Sequence, residues 1–413
     1  MSAKTAARGE PATAETTAAP AIREERRSGF TPRAVLLALL PLLLLAAVLV
    51  LIVQTDAGLG ERTAPPIETL SVQRVRLPEP GRIELGVVND GPDEITIAQV
   101  LVDDAYWQFA IEPDPTLGRL ESATIDIPYP WVEGEAHLIA LVSATGVLFE
   151  AEIPVAMESP ATDREGFARF ALVGLYVGIV PVGLGLLWYP SLRRLGRRGM
   201  DFILALTIGL LVFLVVDMWE AAQEVALVAP AALGASGLVP LLALVTAALL
   251  TVVGRSLRRG GRGGLPLAYQ IATGIGLHNL GEGLAIGSAF ALGEVALGVF
   301  LIVGFTLHNV TEGVGIAAPI VRERPALAHF AGLAAVAGLP AIIGTWIGAY
   351  VFSPFWTTVF LAVGIGAILQ VVVEVGRLIM RGRERAGEPA LTWTTFGGVT
   401  AGIAVMYVTA LLV

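Results

Sequence analysis

Cysteine is absent from this 413-residue chain, and charged residues are scarce, at 15%. Without cysteine the protein has no disulfide bond, no thiolate metal ligand and no cysteine nucleophile, so any bound metal must be held by nitrogen and oxygen atoms. An average soluble domain is roughly 25% charged, whereas 55% of the residues here are hydrophobic. This composition excludes an ordinary soluble enzyme, a disordered chain and a basic nucleic-acid-binding protein. It predicts a polytopic membrane protein whose main partner is the lipid bilayer, with no nucleic acid partner.

The first 53 residues predict a tail followed by a membrane anchor. Residues 1–33 consist mainly of Ala, Thr, Pro and charged residues without a hydrophobic period, which is typical of a disordered tail. Residues 34–53 form an unbroken apolar run preceded by arginines. A signal peptide has the same polarity, but its apolar core is only about 7–15 residues long, whereas a bilayer requires about 20. We therefore predict an uncleaved transmembrane anchor whose N-terminus is cytoplasmic.

Residues 54–165 have a different character from the rest of the chain. Short β-rich segments are separated by turn signals at 89–92, 113–115 and 145–146. Five to seven short strands at this spacing predict a small β-sandwich of immunoglobulin-like type. Because the anchor would export this segment, we expect the sandwich to be extracellular, and the sequence does not identify its partner.

Residues 166–413 predict an all-α polytopic membrane bundle of eight helices. Arginine-rich loops follow the first, third, fifth and seventh spans, whereas the alternate loops contain no Arg or Lys. By the positive-inside rule, the odd spans run from outside to inside and the C-terminus is extracellular. We expect a multi-pass protein of the plasma membrane. The predicted spans are 168–189, 201–228, 235–254, 266–291, 295–320, 326–351, 356–380 and 391–412.

The fourth and fifth spans each carry the motif His-Asn-x-x-Glu-Gly, thirty positions apart. On a helix, His and Glu at i and i+4 share one face. A short turn near 293–294 lies midway between the two histidines, so each is about 15 residues from it, or roughly 22 Å along a helix. Both copies would therefore meet past the middle of a hydrocarbon core about 30 Å thick. The copies are His278, Asn279, Glu282 and Gly283, and His308, Asn309, Glu312 and Gly313.

Polar side chains at that depth require an explanation, because an ionised group at the membrane centre costs roughly 2.5–3.5 kcal/mol on insertion scales. Two imidazoles and two carboxylates form a donor set suited to a divalent transition metal. Taken singly, a motif histidine or glutamate is equally typical of a polar group that bridges two helices. Two identical copies at matched depth favour a metal site instead. The other two histidines, His137 and His329, lack such partners, and we expect structural roles for both.

Two other spans carry polar residues that predict a cation pathway. Asp217, Glu220 and Glu224 are spaced i, i+3, i+7 in the outer half of the second span. Gln370 and Glu374 are spaced i, i+4 in the inner half of the seventh span. Polar groups above and below a central site indicate a route for a cation. The alternative is that the acids lie in the two membrane interfaces, where charge costs less.

The paired motif within eight spans resembles the ZIP (Zrt/Irt-like) family of divalent metal transporters over roughly residues 168–413. The resemblance implies a 3+2+3 bundle with the fourth and fifth helices at its centre, dimers of identical chains, and uptake of zinc, iron, manganese or related ions by alternating access. It assigns His278, Glu282, His308 and Glu312 to the primary metal site. It assigns Asn279 and Asn309 to a neighbouring second site.

The chain departs from the family pattern at several positions. Where the family often has proline inside the motif, this sequence has Gly281 and Thr311. Leu339 stands where many members have a glutamate in the sixth helix, and Asp217 stands where relatives often have histidine. The substrate preference is therefore expected to differ from that of better-known members.

Three functions are compatible with these features. The first is a metal importer that is not an enzyme and carries a divalent ion as its substrate, with zinc ahead of iron and manganese. The second is a membrane-embedded zinc-dependent hydrolase, since His and carboxylate ligands also build catalytic zinc sites. Against it, the sequence contains no HExxH motif and no evident separate general base. The third is a metal-binding receptor or sensor in which the metal is structural.

Overall fold

The computed structural model describes residues 32–55, 65–258, 263–389 and 391–411. The chain divides into two compact units, one ending at Pro65 and the other beginning at Pro66. In the first unit, helix α1 covers Pro32–Gln54, which includes the whole predicted anchor. Its apolar stretch is Leu39–Ile52. The predicted tail lies outside the described residues, except for its last two, which begin α1.

The second unit starts with nine antiparallel strands in two sheets. The sheet orders are β1-β2-β7-β5 and β4-β3-β8-β9, and β6 pairs with β3. Alternate residues of the longer strands point inward, and both sheets contribute to one apolar core that includes Leu85, Ile125 and Leu141. The strands are β1 Leu70–Glu79, β2 Arg82–Asn89, β3 Ile95–Val102, β4 Ala105–Trp107, β5 Ala110–Glu112, β6 Thr116–Leu117, β7 Ser122–Ile127, β8 His137–Ser143 and β9 Leu148–Ile153.

The β3–β4 hairpin turns at Asp103 and Asp104, which both have positive φ, 50° and 65°. The Asp103 carboxylate accepts hydrogen bonds from the Tyr129 hydroxyl (2.8 Å) and the Leu138 backbone N–H (2.9 Å), and it lies 2.8 Å from Nδ1 of His137. Partial burial opposes ionisation of Asp103, but these bonds outweigh it and lower the pKa of the carboxyl. His137 therefore has a structural partner within the sheet region.

The rest of the second unit is helical. A π-helical turn at Leu175–Ile179 joins α2 to α3, so these elements form one continuous rod. By length and composition, seven helical segments of the described residues could cross a membrane. Helix α7 is 27 residues long but is more polar, because it carries the first motif copy. The helices are α2 Arg164–Gly174, α3 Val180–Leu187, α4 Tyr189–Leu192, α5 Arg197–Val228, α6 Ala235–Arg258, α7 Leu265–Ala291, α8 Val295–Ala317, α9 Leu327–Tyr350, α10 Pro354–Glu384 and α11 Trp393–Leu411.

The helices pack in matching pairs around α7 and α8. Helix α7 lies against α9 and α10, and α8 lies against α3, while α5 contacts α10 and α11. The motif glycines permit close approaches of α7 to α9 and of α8 to α3. A Cβ atom on Gly283 would lie 2.1 Å from the carbonyl oxygen of Ala341 in α9, and one on Gly313 would lie 2.2 Å from that of Val182 in α3. Both motif copies are thereby held against a neighbouring helix.

Candidate metal centre

The two motif copies meet inside the bundle. Ligand atoms of His278, His308 and Glu312 all lie within 4.8 Å of one another, and all three side chains are buried. Two ligands bound tetrahedrally to zinc at about 2.1 Å lie roughly 3.4 Å apart. The 3.8 Å between Nε2 of His278 and Oε1 of Glu312 is close to that separation. The cluster could therefore hold a single metal ion after small side-chain movements.

Glu282 is the carboxylate on which both histidines converge. Its Oε1 lies 2.8 Å from Nε2 of His278 and 2.5 Å from Nε2 of His308. Its Oε2 accepts a hydrogen bond of 2.9 Å from the side-chain amide of Asn309. Glu282 thus joins the first motif copy to the second by direct polar contacts.

Glu312 has a different environment from its counterpart. It is 2% exposed, and neither carboxylate oxygen has a hydrogen-bond partner among the described residues. Burying an ionisable group without hydrogen bonds is costly. A carboxylate left in this condition beside two imidazoles is the arrangement expected of a metal ligand.

The two asparagines make equivalent contacts with neighbouring helices. Asn279 donates from Nδ2 to the backbone oxygen of Ala337 in α9, and Asn309 donates to that of Val177 in the π-helical turn, both at 3.0 Å. The Oδ1 atom of each is buried and has no hydrogen-bond partner within the described part of the chain. These two oxygens are neutral acceptors that remain free to face a cation.

Met218 is a neighbour of the cluster that the sequence analysis did not single out. Its Sδ lies 3.0 Å from Nδ1 of His278, and the side chain is 6% exposed. A partner at the second ring nitrogen orients a metal-binding imidazole. In the sequence, Met218 belongs to an apolar stripe with Leu211, Leu214 and Ala222, so nothing distinguishes it from ordinary core residues.

The predicted pathway residues of the second span are exposed, and one of them opens toward the cluster. Asp217 and His308 line the same cavity of about 110 Å³, between α5, α8 and α11. Glu220 and Glu224 are exposed side chains nearer the end of α5. The structure thus brings one of these three acids beside a motif histidine.

The predicted pathway residues of the seventh span are buried. Neither amide atom of Gln370 has a hydrogen-bond partner among the described residues, and its Oε1 lies 3.3 Å from where Gly274 would carry a Cβ atom. Gly274 is one helical turn before His278. Glu374 is paired with Arg377, 2.8 Å away. Gln370 therefore packs against the motif helix α7.

Leu339 and His329 are two further residues that the sequence distinguishes. Leu339 is 48% exposed, so it is not one of the buried groups around the cluster. His329 lies outside the cluster, with Nδ1 at 3.2 Å from the Tyr269 hydroxyl.

Searches for similar proteins find no matching family model and no matching curated sequence.

Proposed function

We propose that this chain is a ZIP-like transporter that moves a divalent transition-metal ion toward the cytoplasm, with zinc as the first candidate and iron or manganese as alternatives. The observation that carries this proposal is the buried cluster of His278, His308 and Glu312, held together by Glu282. Imidazole and carboxylate suit these ions, and two carboxylates balance the charge of one divalent cation. The metal is the substrate and not a resident cofactor.

An access route for the ion supports transport over a purely structural metal. The cavity that reaches Asp217 and His308 is lined by Phe300 and Phe305 of α8 and by Thr409 of α11. These residues lie between the cluster and the ends of the helices that face the β region. Under the orientation given by the arginine-rich loops, that side is extracellular. A cation would enter past Asp217 and leave past Gln370.

The helix pairing supports a 3+2+3 arrangement and alternating access. Helix α7 packs on α9 as α8 packs on α3, and α6 packs on α10 as α11 packs on α5. Such matched pairs are typical of transporters built from two inverted repeats, in which one set of helices rocks against the other around a central site. The proposal includes a homodimer, as the family resemblance implies.

The proposal also places the β region and the termini. The strand orders β1-β2-β7-β5 and β4-β3-β8-β9 support an immunoglobulin-like sandwich, because they match the order of its ABED and CFG sheets with β4 as an added edge strand. We place this sandwich and the C-terminus outside the cell and the N-terminus in the cytoplasm. The location is the plasma membrane.

Uptake by the full chain in liposomes tests the function. Wild-type protein should take up at least one of Zn²⁺, Fe²⁺, Mn²⁺, Co²⁺ and Cd²⁺ down a concentration gradient. His308→Ala should abolish uptake, whereas His329→Ala, which removes a histidine outside the cluster, should leave it unchanged. Metal-dependent hydrolysis without flux would favour the hydrolase, and metal binding with neither activity would favour the sensor. Either result would overturn the proposal that this chain is a transporter.

A further inference from the structure

The β-domain, defined here as residues 66–163, contacts two groups of helices. The first helix set consists of α2, α3, α7, α8 and α9, and the second consists of α5, α6, α10 and α11. Within each set the helices pack on one another, and the two sets also meet where α7 packs against α10. The cavity that reaches His308 is lined by α8 of the first set and by α5 and α11 of the second, so it lies between the two sets.

Asp90 connects the β-domain to the second helix set. Its Oδ2 accepts a hydrogen bond of 2.7 Å from the backbone N–H of Ala231, and its Oδ1 accepts one of 2.9 Å from that of Ala232. These residues lie in the loop that joins α5 to α6. Ser71 adds a hydrogen bond of 3.3 Å to the carbonyl oxygen of Val228, the last residue of α5. The Asp90 carboxylate therefore binds the loop that connects α5 to α6.

The loop that presents Asp90 is itself fixed to the β-domain core. Asn89 is fully buried, and its side-chain amide donates to the backbone oxygens of Asp93 and Leu117, both at 2.8 Å. Its Oδ1 accepts a hydrogen bond from the N–H of Gly91. The backbone N–H of Asp90 donates to the oxygen of Thr69 at 2.8 Å. Hydrogen bonds of the residues on either side of Asp90 thus fix it to the β-domain core, so Asp90 moves with the β-domain.

Other residues connect the β-domain to the first helix set. Arg74 donates a hydrogen bond of 3.4 Å to the carbonyl oxygen of Tyr350, the last residue of α9. Gly293, between α7 and α8, lies against Val155 and Met157 of the segment that follows β9. The β-domain also continues directly into α2. It is therefore attached to both sets at the same end of the bundle.

We propose that the β-domain is a clamp across the two helix sets and that Asp90 is its releasable contact. The inference rests on the proposed function, since rocking of one set against the other would have to stretch or break a bridge between them. A capping carboxylate on backbone N–H groups changes an equilibrium by about 2- to 30-fold. Loss of Asp90 should favour opening of the cavity between the sets by a factor in this range.

The rate of thiol labelling inside the cavity tests the clamp without requiring flux. Because the chain has no native cysteine, Thr409→Cys provides a single thiol on the cavity wall for a membrane-impermeant maleimide. Adding Asp90→Ala should raise the labelling rate about 2- to 30-fold. Asp90→Asn, which keeps one acceptor oxygen, should give an intermediate rate. Glu94→Ala, which removes an exposed carboxylate of the same loop, should leave the rate unchanged.

A cross-link tests the opposite change, because it prevents the contact at Asp90 from being released. In Asp90→Cys, Ala232→Cys protein, joining the two thiols with a short reversible reagent should slow metal uptake, and reduction should restore it. An unchanged or lower labelling rate in Asp90→Ala, or equal uptake in the joined and reduced states, would overturn the clamp. If no variant shows uptake but labelling still responds to Asp90, the transport proposal fails and the clamp stands.

Discussion

Nε2 of His308 lies 2.5 Å from Oε1 of Glu282, which joins the second copy of the repeated motif to the first. The reverse contact is weaker, because Nε2 of His278 is 3.8 Å from Glu312 and only 2.8 Å from Glu282. The two copies share their His, Asn and Glu residues, yet their two carboxylates have different surroundings in the cluster. Glu282 is engaged by both imidazoles and an amide, whereas Glu312 is buried without a hydrogen bond among the described residues.

This asymmetry predicts different effects of two matched substitutions on the stability of the metal-free chain. Glu282→Gln should lower stability by about 3–5 kcal/mol, because it breaks a buried ionic network. Glu312→Gln should leave stability unchanged or raise it, because the carboxyl group that it replaces has no hydrogen-bond partner to lose. Both variants should bind zinc more weakly. Thermal unfolding in chelator and zinc titration calorimetry measure the two effects, and equal destabilisation by both variants would contradict the assignment.

Met218→Leu should weaken zinc binding about 10- to 100-fold, the usual cost of removing a partner that orients a metal-binding histidine. The fold should persist, since Met and Leu have similar volumes and such exchanges usually cost less than about 1.5 kcal/mol. Met200→Leu, near the other end of α5, is the control and should bind zinc as the wild type does. Equal affinities in all three proteins, measured by competition with a zinc dye, would make Met218 an ordinary core residue.

We expect one metal ion at the cluster. Glu282 and Glu312 supply its only negative charges among the motif residues, since Asn279 and Asn309 are neutral. Two adjacent divalent ions would bring four positive charges against two in a low-dielectric interior, where that imbalance is costly. Anomalous diffraction from zinc- or cadmium-soaked crystals should show one strong peak between α7 and α8. Two adjacent peaks of full occupancy would refute this charge argument.

Gly283→Ala should lower stability by about 1–3 kcal/mol or more, because the added Cβ would force α7 and α9 apart. The site for that atom is 2.1 Å from the Ala341 oxygen. Gly183→Ala in α3 is the matched control, as nothing lies within 4 Å of its Cβ position. In that variant, alanine should be neutral or stabilising, by up to roughly 1 kcal/mol. Denaturation of both variants in detergent measures their stability. It distinguishes the cost of disturbing close helix packing from the effect of alanine on helix propensity.

Acid should loosen the β-domain near the Asp103 turn. Because the pKa of Asp103 is lowered in the folded chain, its stabilisation is present above the ordinary Asp value of about 3.9 and is lost as the pH falls through the lowered value. Amide exchange at Leu138, corrected for intrinsic rates, should therefore accelerate below about pH 4.

Asp103→Asn should remove that acid dependence and give faster exchange already at pH 6. Asparagine tolerates the positive φ at this position, so the backbone conformation is preserved. Asp104→Asn changes the neighbouring carboxylate of the same turn and should behave as the wild type. An acid response that persists in Asp103→Asn would assign the titration to another group.

The sequence by itself determined where most regular elements lie. The span predicted at 201–228 corresponds to helix Arg197–Val228, and that predicted at 266–291 corresponds to Leu265–Ala291. A long apolar run specifies a helix locally, because every backbone hydrogen bond closes within four residues. The β region was harder to predict, because its described residues form nine strands where five to seven were expected. Strands β4, β5 and β6 contain only two or three residues, too few to show an alternating pattern.

The tertiary structure decided which atoms meet. Spacing i, i+4 placed His278 and Glu282 on one face of a helix, and the repeat predicted that the two copies would converge. The rotation of each helix about its own axis depends on packing against its neighbours, and no local pattern encodes it. For that reason only the fold distinguished Glu282 from Glu312, brought Met218 to His278 and left Leu339 exposed. The contact of Asp90 with Ala231 joins residues 141 positions apart, so it too exists only in the folded chain.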